Sequence, residues 1–354
     1  MNSFIKNKQI SSDQWLASNG IYKRTPHFIA KKLVVMFPGH GSQYHGMFKG
    51  FQNEAFQSVV RRADVLYKEK FGEKLSDYWE SGELDDPLVM QTSIYTVNVA
   101  MYEAYKESGH KPNYLIGHSL GEISALAAGS SITFDTGFEI CCIRASLLKK
   151  MDKRARGNMI SIKTSPDDER ILDFVWANEG SCSLSIINNS SQIVVSGRSE
   201  CIGLLNQYCM ENDLKCFILP IPFAFHSELL KEIYDPFKAQ LDHLSFGKSV
   251  IPVYSTILNR FYRAEDYQQL PQLLAMQLLQ PFSFYSCIEQ LIHLYDANIF
   301  IELGAGTILT KLIKNDTKLN KDIIVLASNA KKADPNLTFK GCLAALNLNT
   351  SEGI

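Results

Sequence analysis

The stretch NYLIGHSLGEISALAAG, residues 113–129, runs from an apolar strand pattern through Gly117-His118-Ser119-Leu120-Gly121 directly into an Ala-rich helical pattern. A strand that becomes a helix over so few residues needs glycine on both flanks, because a side chain there collides with neighbouring backbone. The same turn presents the Ser119 hydroxyl at the rim of a sheet. Behind it lie the free N–H groups and positive dipole end of the following helix, a setting suited to a developing oxyanion. The plainer reading of the pentapeptide is a glycine-rich turn with a capping serine.

The flanking sequence favours a layered α/β fold. KLVVMF (32–37) is a short apolar run followed at once by the turn-rich PGHGSQ, and residues 88–108 carry apolar positions at helical spacing up to Gly109. Alternating strands and helices predict a parallel sheet. The runs VIPVYS (250–255), NIFIEL (298–303) and DIIVLAS (322–328) supply further strands. Residues 158–219 keep a different rhythm, β-α-β-β-α-β, which is the ferredoxin-like order and is self-contained. The expected division is a large discontinuous domain (32–157 and 220–330), an inserted small domain (158–219), an N-terminal extension (1–31) and a C-terminal tail (331–354).

At 354 residues the chain is long enough to bury a site, and 36 basic against 37 acidic residues, net −1, offer no general attraction for nucleic acid or an anionic membrane. No run approaches the ~18 apolar residues of a membrane span, and the N-terminus lacks the uninterrupted apolar core of a secretory signal. Eight cysteines occur without a Cys-x-x-Cys or zinc-finger spacing. They are expected to be reduced, mostly buried thiols of a cytoplasmic protein that holds no metal.

A serine nucleophile needs a base. Of eight histidines, His226 in IPFAFHSELL follows a strand end and so can sit at the sheet rim. A structural histidine is the alternative reading.

FPGHGSQYHGM (37–47), GHSLGE (117–122), Arg144, NSSQIVVSG (189–197), AFHS (224–227) and FIELGAGTILTKL (300–312) occur in this order. Together they resemble the malonyl-CoA:acyl carrier protein transacylase family over roughly residues 32–330. The resemblance implies an α/β-hydrolase-like large domain with a ferredoxin-like insertion, Ser119 as the acylated nucleophile and His226 as its general base and acid. It implies an oxyanion hole from the backbone N–H groups of His40 and Leu120. It also implies that Arg144 pairs with the substrate carboxylate, as a planar guanidinium can through two parallel hydrogen bonds. By the same resemblance, a main-chain carbonyl at Ser283, within QPFSF (280–284), orients His226, Asn188 has a supporting role, and Phe225 favours an unsubstituted malonyl group. Malonyl-CoA is then the substrate, an acyl carrier protein bearing phosphopantetheine the acceptor, and no cofactor is held permanently.

Two positions depart from the family pattern: His40 stands where the family has glutamine, and Ala145 where it has glycine after the arginine. They bear on acyl selectivity. The long N-terminal extension and His40 favour a stand-alone acyltransferase serving a polyketide synthase over the fatty-acid enzyme. The rival readings are an acyl hydrolase acting on carrier-bound groups and a non-catalytic protein that docks carrier proteins. A monomer is expected, with KKMDKRAR (149–156) as a basic patch for an acidic carrier protein or simply a solvated helix end.

Overall fold

The computed structural model describes residues 31–319 and 322–350, so all but the last residue of the expected N-terminal extension lies outside the described residues. Eleven strands follow in chain order among the described residues: β1 Lys32–Phe37, β2 Tyr114–Gly117, β3 Asn158–Ile162, β4 Cys182–Asn189, β5 Gln192–Gly197, β6 Cys216–Ile218, β7 Val253–Ser255, β8 Arg260–Phe261, β9 Phe282–Ser283, β10 Ala297–Glu302 and β11 Ile324–Ala327. They form two sheets, ordered β11-β10-β1-β2-β7-β8 and β6-β3-β5-β4-β9.

In the first sheet β11, β10, β1, β2 and β7 are parallel, and only the edge strand β8 runs antiparallel to its neighbour. Parallel strands covered by helices on both faces read as unbroken apolar runs. Val34 to Phe37 of β1 accordingly have no exposed surface. The helix Pro87–Lys106 beside them starts where the Asp86 side chain accepts from the Leu88 N–H, and almost every residue along it is buried. Among its polar groups, Asn98 Nδ2 donates to the Pro38 carbonyl at 2.9 Å and so fixes the turn that follows β1.

Residues 158–218 build most of the second sheet, with antiparallel β3/β5, β3/β6 and β4/β5 pairs. Alternation assigns its two faces. Ile160, Ile162, Ile193 and Val195 pack with Ile171, Ile202 and Leu205 into a core of their own. Met159, Ser161, Gln192 and Val194 face the other way, onto a cavity shared with the first sheet. The short parallel strand β9, pairing Phe282 with Ile186 and Ser283 with Ile187, stitches this sheet to the large body.

The C-terminal segment corrects the expectation of a tail. Residues Pro335–Thr350 form a helix that buries Phe339, Cys342, Ala345 and Leu346, with the Phe339 ring 5.5 Å from Phe51 in an edge-on contact. Those four residues recur at helical spacing, which the polar letters of NLNTSEGI obscure. All eight cysteines are free thiols, and only Cys216 is less than fully buried. No helix among the described residues is long and apolar enough to cross a membrane.

Candidate active site

Ser119 lies in the turn between β2 and the helix Gly121–Ala128, with φ of 53°. This left-handed conformation is sparsely populated by non-glycine residues and persists only where the surroundings enforce it. The expected crowding at both flanks is present: a Cβ at Gly117 would lie 2.1 Å from the Glu122 nitrogen, and one at Gly121 2.1 Å from the Phe37 carbonyl oxygen. The loop after β1 approaches equally closely, since a Cβ at residue 39 would lie 2.5 Å from the His118 oxygen and 3.5 Å from the Ser119 Cβ. Among the described residues, neither the His40 nor the Leu120 N–H has an acceptor, and both residues flank this corner. Donors left free in this way are available to an oxygen at the corner.

His226, from the loop between β6 and β7, brings Nε2 to 2.9 Å from Ser119 Oγ. Its Nδ1 lies 3.2 Å from the Gln280 carbonyl oxygen. A carbonyl only accepts, so Nδ1 carries the proton and Nε2 is left to accept from the serine. The orienting carbonyl therefore belongs to Gln280, three residues before the expected Ser283. Ser283 is engaged otherwise, pairing with Ile187 in β9 and accepting through its hydroxyl from the Ser286 N–H. The Phe282 ring between them packs edge-on against the His226 imidazole, 4.8 Å away. Burial, then the positive Arg144 and then His118 lower the His226 pKa to about 3.

Both residues open on a cavity of about 600 Å³ between the two sheets, with Met159, Ile186 and Val194 on one wall and Ile308, Leu309 and Leu312 on another. Asn188 faces it too, and accepts from His118 Nε2–H at 3.0 Å. Phe225 lines the cavity beside His226. Arg144, on the helix Phe134–Lys150, does not reach the cavity wall: it is 1% exposed, and its Cζ lies 5.1 Å from the centre of the Phe225 ring. None of its three guanidinium nitrogens has a hydrogen-bond partner among the described residues. Burial lowers its pKa to about 10, which leaves it charged at neutral pH. A buried cation without a counterion is costly to the free fold. Ala145 is fully buried and stands apart from the cavity wall.

A family model described as the acyl transferase domain matches residues 34–345. The chain belongs to the acyl transferase family. It is 29% identical over 230 residues to erythronolide synthase EryA3 of Saccharopolyspora erythraea, a match that covers 64% of this chain and 7% of that much longer protein. It is also 29% identical over 299 residues to the malonyl CoA-acyl carrier protein transacylase of Bacillus subtilis, covering 83% of this chain and 93% of the relative. The crystal structure of an acyl carrier protein S-malonyltransferase from Vibrio cholerae superposes with a TM-score of 0.74 at 26% identity, over 85% of this chain and 97% of the other.

In this acyl transferase a buried network, absent from the sequence reading, holds both halves of the Ser119–His226 pair. The Glu122 carboxylate accepts from Thr256 Oγ1 at 2.8 Å, Tyr262 OH at 2.6 Å and Gln277 Nε2 at 3.1 Å. Gln277 Nε2 also donates to the Ser119 carbonyl at 3.0 Å. One residue on, the Leu278 carbonyl accepts from the His226 N–H at 2.7 Å. Glu122 was visible as the last letter of GHSLGE, but its partners come from two distant segments, the β7–β8 hairpin and Gln277. Glu122→Gln places an amide N–H among three donors and leaves one of them unpaired. It is expected to cost about 1–3 kcal/mol in urea unfolding and to slow acylation of Ser119.

The buried histidines carry a pH dependence. Burial holds the pKa values of His40 well below the ordinary value, His118 at about 4 and His226 at about 3. Unfolded, each takes up a proton near pH 6.5, so stability is lost as pH falls through that value. Burial of Glu302 raises its pKa to about 7, and that of Glu122 is also raised. These carboxyls keep protons that the unfolded chain has released, and so act in the opposite direction. The three histidines outweigh the two carboxyls, so stability falls as pH drops from about 6 to 5. Urea midpoints should fall over that interval, and more steeply in Glu302→Gln, which lacks one offsetting group.

Proposed function

We propose that the protein transfers a malonyl group from malonyl-CoA, through an ester on Ser119, to the phosphopantetheine thiol of an acyl carrier protein in polyketide or fatty acid assembly. The observation that carries this reading is a buried Arg144, without a hydrogen-bond partner among the described residues, behind the Phe225 wall of a cavity that holds a hydrogen-bonded Ser119–His226 pair. A hydrolase of neutral acyl groups has no use for such a cation.

In the first half-reaction His226 Nε2 takes the Ser119 proton while Oγ forms a bond to the thioester carbonyl carbon. The His40 and Leu120 N–H groups hold the oxyanion. Collapse breaks the carbon–sulfur bond, and the coenzyme A thiolate leaves with the proton from His226. In the second half the pantetheine thiol gives its proton to His226, attacks the ester carbonyl and returns Ser119 to its hydroxyl form. Arg144 binds the distal carboxylate in both halves, and Phe225 closes the space beside the α-carbon. Apolar walls keep water from intercepting the ester. Exposed Lys163 and Lys311 at the cavity lining suit the phosphates of coenzyme A.

In this reading an α/β-hydrolase-like body, residues 32–157 and 220–350, carries a ferredoxin-like insertion at 158–219, to whose sheet the body adds β9. In this reading the protein acts as a monomer in the cytoplasm. The basic run 149–156 serves less well for docking than its letters suggest: Lys149 pairs with Asp86 at 2.7 Å, and Arg156 folds back to donate to the Lys149 carbonyl at 2.7 Å.

Intact mass after mixing with malonyl-CoA tests the proposal. A malonyl adduct that forms within seconds and disappears onto added carrier protein is expected. Release of free malonate in place of transfer would identify a hydrolase, and no adduct with any acyl-CoA or acyl carrier protein would leave a docking protein.

A further inference from the structure

We propose that the His40 and Phe225 rings form a gate over Arg144: in the free protein Phe225 shuts the guanidinium off from the cavity, His40 stacking holds it shut, and the acyl carboxylate must turn Phe225 aside to reach the cation. This rests on the malonyl reading above and assigns a role to the position where the chain departs from its family.

The gate is built from observed contacts. The His40 and Phe225 rings stack with centroids 4.8 Å apart and planes 23° from parallel. Phe225 lies against the Arg144 guanidinium at 5.1 Å. His40 and Phe225 line the cavity, and Arg144 does not. The backbone on either side of Phe225 is fixed: before it the Ala224 N–H donates to the Arg156 carbonyl at 2.7 Å and the Ala224 carbonyl accepts from Ser227 Oγ at 2.6 Å, and after it the Phe225 carbonyl accepts from Ser196 Oγ at 2.6 Å while the His226 N–H donates to the Leu278 carbonyl at 2.7 Å. Opening is therefore a rotation of the Phe225 side chain and leaves the His226 ring in place. A neutral His40 imidazole packs on the ring without repelling Arg144, and burial together with the nearby guanidinium keeps it neutral. Glutamine at this position supplies the same backbone N–H but no aromatic face.

An α-substituted acyl group adds bulk beside the ring that must turn, so the gate sets selectivity as well as access. Two measurements test it. The first is the rate at which phenylglyoxal modifies Arg144, read by peptide mapping. The second is the ratio of Ser119 acylation rates with malonyl-CoA and methylmalonyl-CoA. Wild-type Arg144 should react slowly. His40→Ala and His40→Gln should speed its modification about three- to tenfold and lower the malonyl preference by a similar factor. His40→Phe, which keeps a ring on the stack, should restore both readouts toward wild type. Labelling and preference unchanged in His40→Ala and His40→Gln would overturn the gate. If wild type accepts no malonyl group the proposed reaction fails, while the contrast in Arg144 labelling still decides the gate.

Discussion

Ser119→Ala is expected to form no acyl-enzyme at all and to lower transfer from malonyl-CoA to carrier protein by about 10⁵-fold or more. In the proposed reaction the ester forms on this hydroxyl, and without it the His40 and Leu120 N–H groups have no oxyanion to hold. His226→Ala should cost nearly as much, because Nε2 at 2.9 Å is the acceptor for the serine proton and the Gln280 carbonyl cannot take its place. The double variant should be little worse than either alone, since the two groups act as one unit. Single-turnover acylation followed by intact mass, with the fold of each variant checked by its urea unfolding transition, gives the comparison. Acylation that survives in Ser119→Ala would place the chemistry elsewhere.

Arg144→Met should separate stability from function. In the free protein Arg144 is a charged group, 1% exposed, with no hydrogen-bond partner for any guanidinium nitrogen among the described residues, and the Phe225 ring at 5.1 Å offsets only part of the desolvation. Replacing it with an apolar side chain of similar length is expected to stabilise the fold by about 1–4 kcal/mol, as buried charges replaced by packed apolar groups do. In the proposed reaction the same change removes the charge-assisted pair with the acyl carboxylate and should lower malonyl acylation by about 10²- to 10³-fold. Acetyl transfer, which makes no such pair, should change little, so the preference for malonyl over acetyl collapses. A higher unfolding midpoint together with a lost preference is the expected result. A lower midpoint with the preference intact would make Arg144 a structural residue.

Local patterns made much of this molecule legible. β1, β2 and the strands at 253–255, 297–302 and 324–327 fall within apolar runs that read as strands, and 158–219 yields its six elements in the expected order. Ser119 was visible because the elbow is a local event: glycine spacing, strand before and helix after all lie within a few residues. His226 was visible as a histidine at a strand end, and it became the partner of Ser119 only through contact between residues 107 positions apart. The orienting carbonyl was misplaced by three residues, from Gln280 to Ser283, because every residue in QPFSF carries the same carbonyl and only the path of the chain decides which one faces the imidazole.

The sequence alone determined the alternation of strands and helices, the strained serine corner and the presence of a histidine and an arginine of suitable chemistry, because these depend on side-chain type and on spacing within a few turns of chain. The tertiary structure alone decided what surrounds them. It brought Thr256, Tyr262 and Gln277 onto Glu122, laid His40 against Phe225 and left Arg144 buried without a hydrogen-bond partner among the described residues. Such properties arise from packing between distant segments, where desolvation and the direction of each hydrogen bond are set by neighbours that the linear order does not specify.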